Sequence, residues 1–496
     1  MALSDYTKYR FLEMIPGALT WGTFVGIIVL TLVRPIIAVY FIVIFDLYWL
    51  IRVVYLIIYI VLSFKQYHKD SKIDWRERCQ KIPGWEKIYH CIFMPTYKEP
   101  LDVLRMSFSS LVNVNFPKER MIVVFCLEEG DKENALRNAE VLRQEFGDAF
   151  HKFIVTLHPK GLPGEVPGKG SNTAWAAQEA KKAIDQEKIP YENIIVSSFD
   201  VDSCAHPQYF SYVTYHYLTS ENPTRQSYQP VPLFNNNIWE VPAIMRVVSN
   251  STTFWLMSEQ LRPERLFTFS SHSMSFKALA DVGFWQNDIV TEDSRIFLQC
   301  LLFYDGDYRV KSMHIPISMD AVAGKNIWHG FVNLYKQQRR WAWGVEHFPY
   351  LVWNFSKNKK IAFVTKLRYL WNLTEGMYSW ATAPIIIFIL GNFPFRMPDW
   401  EVRNSVISQN APHVLQILMS AAMIGLLVSA MMSVYFLPDK TKRFRGPRVL
   451  IMLLQWALFP ICMIAFGSAP ATEAQTRLML GKYLGFRVTE KMRKKE

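Results

Sequence analysis

Cysteine is scarce in this sequence and never occurs at the spacing of a metal or redox motif. The six cysteines among 496 residues form no CxxC pair, which excludes a zinc knuckle and gives no disulfide framework. Such thiols are typical of a reducing, cytosolic compartment. The sequence also lacks internal repeats and low-complexity tracts, which argues against a repeat architecture.

A Walker A loop and a recognisable nucleic-acid-binding module are missing as well. The glycine-rich stretch "PGKGSNTAWA" does not have the Walker A spacing. The net charge of +12 alone could indicate nucleic acid, a membrane surface or an anionic substrate. Several basic residues, however, lie beside apolar segments: Lys440, Lys442, Arg443, Arg445 and Arg448. This placement fits the positive-inside bias of membrane proteins, so no nucleic-acid partner is expected.

The hydrophobic residues are concentrated at the two ends of the chain. Residues 18–64 are almost continuously apolar, which is too long for a cleavable signal peptide and long enough for two membrane helices. The turn between them is expected either at Arg34-Pro35 or near Asp46. Residues 328–353 are amphipathic and rich in aromatics, which predicts helix at the membrane interface. Three more apolar segments follow, at about 370–390, 414–437 and 449–466.

The middle of the chain alternates strand and helix patterns. "KIYHCIFMP", "RMIVVFCLEE" and "NIIVSSFDVDS" are typical of buried strands, whereas "ENALRNAEVLRQEF" and "NTAWAAQEAKKAI" have helical apolar spacing. This alternation predicts an α/β domain with a mostly parallel sheet. Ligands of such sheets bind beyond the carboxyl ends of the strands, where these patterns become polar.

Two acidic motifs are candidates for chemistry. Asp200 and Asp202 end a strand in "SFDVDS", and strand alternation would send both carboxylates to one side. Such a pair suits a hard divalent cation with substrate phosphates, or else a turn that uses aspartate for local hydrogen bonds. Glu292 and Asp293 in "VTEDSRIF" begin a predicted helix. They either favour the helix dipole or supply a general base for an acceptor hydroxyl.

Two further motifs combine basic and aromatic residues. Lys169 stands among glycines just before a helix, which suits a phosphate group or a solvated loop. Gln337, Arg340 and Trp341 form the pattern QxxRW, and helical spacing puts them on one face. The arginine can neutralise a departing diphosphate, and the indole can stack on a sugar ring. The alternative is an interfacial belt of aromatic and basic residues.

The order of these motifs, between membrane segments, resembles that of the processive family 2 glycosyltransferases, the cellulose, chitin and hyaluronan synthases. The resemblance extends over about residues 21–491, and QxxRW after TED is its most specific part. "GFRVTEK" adds a match to the FxVTxK gating loop of cellulose synthases, through Phe486, Val488, Thr489 and Lys491. The resemblance implies a GT-A-type, Rossmann-like cytosolic domain embedded between transmembrane helices.

The resemblance also implies roles for individual residues. The donor would be a nucleotide-diphosphate sugar, most often a UDP-sugar, and Asp202 with Asp200 would hold Mg²⁺ or Mn²⁺. Asp293 would be the catalytic base, and the other catalytic residues would be Glu292, Gln337, Arg340 and Trp341. The nucleotide-binding set would be Thr96, Glu99, Glu128, Glu129, Lys169, Asp200, Asp202, Thr489 and Lys491. Glu128 and Glu129 stand where the family usually has aspartate.

Five parts are predicted along the chain. They are a membrane region with two helices (1–68), the cytosolic catalytic domain (69–325), interfacial helices with QxxRW (326–368), a second membrane region (369–470) and a cytosolic tail with the gating loop (471–496). The expected activity is inverting, metal-dependent synthesis of a β-linked polysaccharide at the plasma (inner) membrane, with or without coupled translocation. A glycolipid synthase similar to ceramide glucosyltransferases is the alternative, so the acceptor is a glycan or a lipid. A transporter with a regulatory soluble domain is a third hypothesis.

The apolar segments conflict with a cytosolic tail if all of them cross the membrane. Two crossings before the catalytic domain and three after it would place the basic tail outside. The segment at 449–466 is short and is interrupted by Pro460. It is therefore predicted to be re-entrant or interfacial.

Overall fold

A mixed sheet of eight strands lies at the centre of the structure, a computed structural model that describes residues 4–397, 404–437 and 445–485. The strands are β1 (Tyr89–Pro95), β2 (Met121–Glu128), β3 (Lys152–His158), β4 (Ile194–Ser198), β5 (Cys204–Ala205), β6 (Gln226–Leu233), β7 (His272–Ser275) and β8 (Arg309–Ser318). Their order is β3-β2-β1-β4-β7-β6-β8-β5. Strands β5 and β7 run antiparallel to their neighbours, and the other six share one direction. The predicted α/β, Rossmann-like fold with a mostly parallel sheet is confirmed.

Helices cover the sheet and extend from it. The helices that precede the QxxRW motif are α1 (Asp5–Val33), α2 (Pro35–Asp70), α3 (Trp75–Gln80), α4 (Leu101–Val112), α5 (Lys132–Phe146), α6 (Lys169–Glu187), α7 (Tyr209–Leu218), α8 (Ala243–Glu259), α9 (Phe276–Asp281) and α10 (Glu292–Phe303). The later ones are α11 (Ile327–Ala342), α12 (His347–Lys357), α13 (Phe363–Phe388), α14 (Val406–Tyr435), α15 (Arg445–Leu454), α16 (Phe459–Met463) and α17 (Ala469–Met479). Helices α5 and α6 are the two that the apolar spacing predicted between strands.

The N-terminal apolar run forms the two long helices α1 and α2. They separate at Arg34, with Pro35 in the first position of α2, so the first of the two predicted turn sites is confirmed. Proline is favoured there because the first helical N–H has no partner within the helix. Within the described ranges, three helices could cross a membrane by length and composition, at Asp5–Val33, Pro35–Asp70 and Gly446–Met479. A fourth candidate is the bent pair Phe363–Phe388 and Leu390–Arg396.

The C-terminal helical run contacts the sheet domain at several points along its length. Near its start Arg448 lies over the ring of Trp239, 5.3 Å from the centroid, and near its end Glu473 pairs with Arg339. Gln455 accepts a hydrogen bond from Arg246 between these points. The apolar segment at 449–466 is thus part of a longer helical run that packs along the sheet domain and α11. Its re-entrant or interfacial path stays a prediction.

Candidate active site

The carboxyl ends of four parallel strands meet at one edge of the sheet. Thr96 follows β1, Glu128 ends β2, His158 ends β3 and Asp200 follows β4. A cavity of about 1540 Å³ opens at this edge, and Thr96, Glu128 and Asp200 line it. The strand ends therefore place polar residues where ligands of parallel sheets bind.

Lys169 joins the two acidic motifs at the edge of this cavity. As the first residue of α6, it donates from Nζ to Asp200 Oδ1 at 2.8 Å and to Asp293 Oδ1 at 3.1 Å. Burial lowers the pKa of Lys169, but the carboxylates of Asp200 and Asp293 outweigh burial and raise it. A positive charge therefore lies between the DxD motif (Asp200 and Asp202) and the TED motif (Thr291, Glu292 and Asp293), where a diphosphate would need one.

Glu292 differs sharply from its neighbour Asp293. Its side chain is buried, and burial followed by the charge of Asp293 raises the pKa of Glu292 to about 8. Gly170 allows this packing, because a Cβ there would lie 3.1 Å from Glu292 Cγ. Burial therefore favours the protonated form of Glu292, and the more exposed Asp293 is the better placed base.

The two aspartates of the DxD motif face different surroundings. Asp200 lines the cavity, whereas the side chain of Asp202 is buried and its Oδ2 accepts a hydrogen bond from the Asp320 amide at 3.0 Å. Strand β4 ends at Ser198, and the Ser203 amide closes a turn on the Asp200 carbonyl. The strand has already ended at Ser198, so strand alternation no longer sets the direction of these two side chains. The expectation that both carboxylates point to one side is therefore not met.

The donor atoms at this edge suit a hard divalent cation. Magnesium usually takes one or two protein carboxylates together with substrate phosphates and water. Asp200 offers such oxygens on the cavity wall, and Asp202 lies two residues further along. Among the described residues, no group of three or more His, Cys, Asp or Glu is arranged to hold a metal by itself. The donor set thus fits a cation that arrives with the diphosphate.

The loops after β1 and β2 contain the other predicted nucleotide contacts. Thr96 Oγ1 donates to Glu99 Oε2 at 2.8 Å, and both residues line the cavity. Glu128 also lines it, but Glu129 does not. Glu129 instead accepts a hydrogen bond from the Lys160 amide at 2.8 Å, so it braces a neighbouring loop.

His158 holds Glu128 in place, and sequence reasoning missed it. Its Nδ1 lies 3.1 Å from Glu128 Oε2, and its Nε2 lies 2.9 Å from Glu165 Oε2. The same rule of strand ends would have found it, had "KFIVTLH" been interpreted as a strand. Ser270, 3.5 Å from Lys169 Nζ, and Asp320 carry no sequence signal, because they reach the site only through tertiary folding.

The His158 pair predicts a pH-dependent nucleotide affinity. Burial lowers the pKa of His158, but Glu128 and Glu165 outweigh it and raise the pKa above its usual value. The ion pairs are thus complete below about pH 6.5 and are lost as the pH rises through the raised pKa. We expect the affinity for UDP, measured by titration calorimetry, to fall several-fold from pH 6 to pH 9. In His158→Gln the affinity should be low throughout.

The matched control for this prediction is His151→Gln. His151 pairs with Glu187 just before β3, at the opposite end of that strand, so its loss should leave the pH profile unchanged. A His158→Gln protein with the wild-type pH profile would show that His158 does not control the cavity.

The QxxRW residues share one face of α11, as helical spacing predicted. Gln337, Arg340 and Trp341 all line the cavity that Asp200 and Asp293 line. The other side of the helix is held by Glu473 of α17, which pairs with Arg339 and accepts a hydrogen bond from Tyr335 Oη at 2.9 Å. The structure thus brings Asp200, Lys169, Asp293 and the QxxRW residues to one cavity, whereas Asp202 does not line it.

The predicted gating loop falls on residues that the structure does not describe. Phe486, Val488, Thr489 and Lys491 lie outside the described residues. Their contribution to nucleotide binding stays a prediction.

Beyond the QxxRW face the cavity continues between membrane-type helices. Its walls there are formed by apolar residues from α2, α8, α14 and α16, including Leu56, Ile57, Val248, Trp255, Met419, Met423, Phe459 and Met463. The polar edge of the sheet and this apolar part form one continuous space. We call this part the apolar arm.

Comparison with known proteins gives one matching family and several solved structures of low sequence identity. The family model described as "Glycosyl transferase family group 2" matches residues 195–466, and no curated protein sequence matches the chain. One similar structure is the mannosyltransferase PcManGT from Pyrobaculum calidifontis in complex with GDP-Man and Mn2+. It is 13% identical with a TM-score of 0.40, over 86% of this chain and 100% of that chain. Another is S. aureus TarS 1-349 in complex with UDP-GlcNAc, 12% identical with a TM-score of 0.36, over 80% and 93%.

Proposed function

Because the chain belongs to glycosyl transferase family group 2, we propose that it transfers a sugar with inversion from a nucleotide-diphosphate donor, most simply a UDP-sugar. One observation supports this most strongly. Lys169 contacts both Asp200 and Asp293, and the QxxRW face lines the same cavity. The ammonium of Lys169 suits a sugar diphosphate, and the carboxylates beside it suit an acceptor hydroxyl.

In the proposed reaction the acceptor oxygen attacks the anomeric carbon opposite the diphosphate. Asp293 takes the hydroxyl proton as the new C–O bond forms, and the bond from the anomeric carbon to the phosphate oxygen breaks. Lys169 and Arg340 stabilise the negative charge that develops on the leaving diphosphate. A divalent cation held by Asp200, the aspartate of this pair that lines the cavity, would supply further charge neutralisation when bound. One in-line displacement inverts configuration, so an α-linked donor gives a β-linked product.

Two products are consistent with this chemistry. The resemblance to processive synthases favours a β-linked polysaccharide, and Trp341 on the cavity wall would stack on the acceptor sugar. The apolar arm favours the second candidate, a single-transfer glycolipid synthase, because its walls suit a hydrocarbon chain.

A donor screen tests the proposed transfer. Purified protein would be incubated with Mg²⁺ or Mn²⁺, a membrane lipid extract and glycan primers as acceptors, and a panel of UDP-glucose, UDP-N-acetylglucosamine and GDP-mannose, and the release of nucleoside diphosphate would be measured. We expect one donor to be preferred, and proton NMR of the product to show the inverted anomer. Retention of configuration, or no release from any donor, would contradict the proposal.

We also propose a multi-pass protein of the plasma membrane, with the catalytic domain and the C-terminus in the cytosol. Helix α17 packs beside α1, where Arg10 donates to the carbonyl of Leu478 at 3.2 Å. The start of α1 contacts the helices that follow QxxRW, since Tyr9 packs on Trp353. Both ends of the described chain are therefore close to the sheet domain.

Cysteine labelling tests this topology. Lys482 is exposed beside α17, so in Lys482→Cys a membrane-impermeant maleimide should label the protein only after the cells are permeabilised. Arg34→Cys, at the exposed turn between α1 and α2, provides the comparison and should be labelled in intact cells. Strong labelling of Lys482→Cys in intact cells would contradict a cytosolic tail.

A further inference from the structure

Most side chains that line the apolar arm are aliphatic or aromatic, and the polar exceptions include Ser251, Thr252, Ser379 and Ser429. Four of its charged residues pair with each other, whereas Asp46 also lines the arm and is not part of this cluster. Glu375 contacts Arg52 at 3.0 Å and Arg265 at 2.7 Å, and Arg265 also contacts Glu259 at 3.2 Å. Two positive and two negative charges thus cancel within one cluster. A glycan placed among the remaining leucine, isoleucine and methionine side chains would lose hydrogen bonds to water, at about 1–3 kcal/mol for each unmatched hydroxyl.

We propose that the acceptor is a membrane lipid with a free hydroxyl, whose hydrocarbon chain occupies the apolar arm. This inference rests on the proposed transfer and names the acceptor class of the same site. Burial of each methylene of such a chain contributes about 0.8 kcal/mol. The arm is built partly from α2, which has the length and composition of a membrane helix, so a lipid can enter it from the bilayer.

The charges at the inner end of the arm favour a hydroxyl over a phosphate as the nucleophile. The acidic groups that line that end include Asp200, Asp293 and Asp320, and Lys169 already contacts the first two. A lipid phosphate would bring further negative charge beside these carboxylates and the donor diphosphate. It would also need no general base, whereas an alcohol must lose its proton to Asp293 as its oxygen bonds to the anomeric carbon. The electron pair of the broken bond leaves with the nucleoside diphosphate.

A reconstitution with defined lipids tests the acceptor class. The protein would be placed in phosphatidylcholine vesicles with or without 5 mol% dioleoylglycerol, or with undecaprenyl phosphate, and given the radiolabelled donor that the screen identifies. We expect label in the organic phase only with dioleoylglycerol, as a product with a single sugar that is stable to mild acid. Label in a lipid-free, ethanol-precipitable polymer would overturn the lipid acceptor, and an acid-labile product from undecaprenyl phosphate would overturn the hydroxyl. In both cases the proposed transferase activity would stand, whereas no transfer from any donor would reject that activity itself.

Two leucines of α2 give a matched pair of variants. Leu56 lines the apolar arm, whereas Leu62 is 45% exposed on the same helix and does not line it. Leu56→Trp should lower transfer to dioleoylglycerol at least 10-fold, because the indole fills space that the chain needs. Leu62→Trp should leave it unchanged. Equal activity of Leu56→Trp and wild type would overturn the placement of the chain.

A second variant guards against a folding defect in the first. Met423, on α14, also lines the arm, and Met423→Trp should reduce lipid transfer in the same way. UDP affinity, measured by titration calorimetry, checks that each variant is folded. If both folded variants transferred sugar to lipid at the wild-type rate, the proposal would be wrong.

Discussion

Replacing Asp293 with asparagine is expected to lower kcat by about 100- to 10,000-fold, the usual contribution of a general base. Asparagine keeps the size of the side chain but cannot accept the proton of the acceptor hydroxyl. Affinity for the nucleotide should change far less, because Lys169 still contacts Asp200. The measurement is single-turnover transfer, with nucleotide affinity determined in parallel by calorimetry.

Asp288→Asn is the matched control for this substitution. Asp288 is exposed, lies five residues before Asp293 and does not line the cavity. The control should therefore transfer sugar at the wild-type rate. Full activity in Asp293→Asn would remove Asp293 as the base from the mechanism.

Loss of the Lys169 charge should have the second large effect. Lys169→Met would leave the carboxylates of Asp200 and Asp293 without the ammonium that now contacts both. We expect kcat/KM to fall about 100- to 1000-fold, because one preorganised charge at the leaving group is lost. Thermal unfolding should also occur at a lower temperature, since two acidic side chains then face each other without compensation.

The control for this variant lies on the same helix. Lys182 of α6 is exposed and pairs with Glu179, and exposed pairs contribute little to stability. Lys182→Met should therefore change neither activity nor unfolding. If Lys169→Met kept wild-type kcat/KM, the diphosphate would have to bind away from this lysine.

Local patterns were sufficient to predict the helices that hold the motifs. Apolar spacing indicated α5 and α6, the acids of TED indicated the start of α10, and periodicity placed QxxRW on one helical face. These features depend on residues that are close in sequence. The sequence therefore predicted a central part of the polar lining, including Lys169, Asp200 and Asp293.

Features that depend on tertiary packing were not predictable in the same way. Strand β6 contains Pro230 and Pro232, which argue against a central strand, yet it is buried and accommodates them at an irregularity in its pairing with β8. Asp202 is buried and does not line the cavity. Strand alternation could not predict this, because β4 ends before it. The apolar arm is formed by helices far apart in sequence, so no single stretch announced it.

The central claim is that one sugar diphosphate binds between Lys169 and Arg340, with its anomeric carbon facing Asp293. A cryo-electron microscopy structure of Asp293→Asn in lipid nanodiscs, with Mg²⁺ and the donor identified by the screen, tests this most directly. We predict density for the diphosphate between those two basic side chains, at the carboxyl ends of β1 and β4. Density for the nucleotide sugar at any other place on the chain would contradict the account.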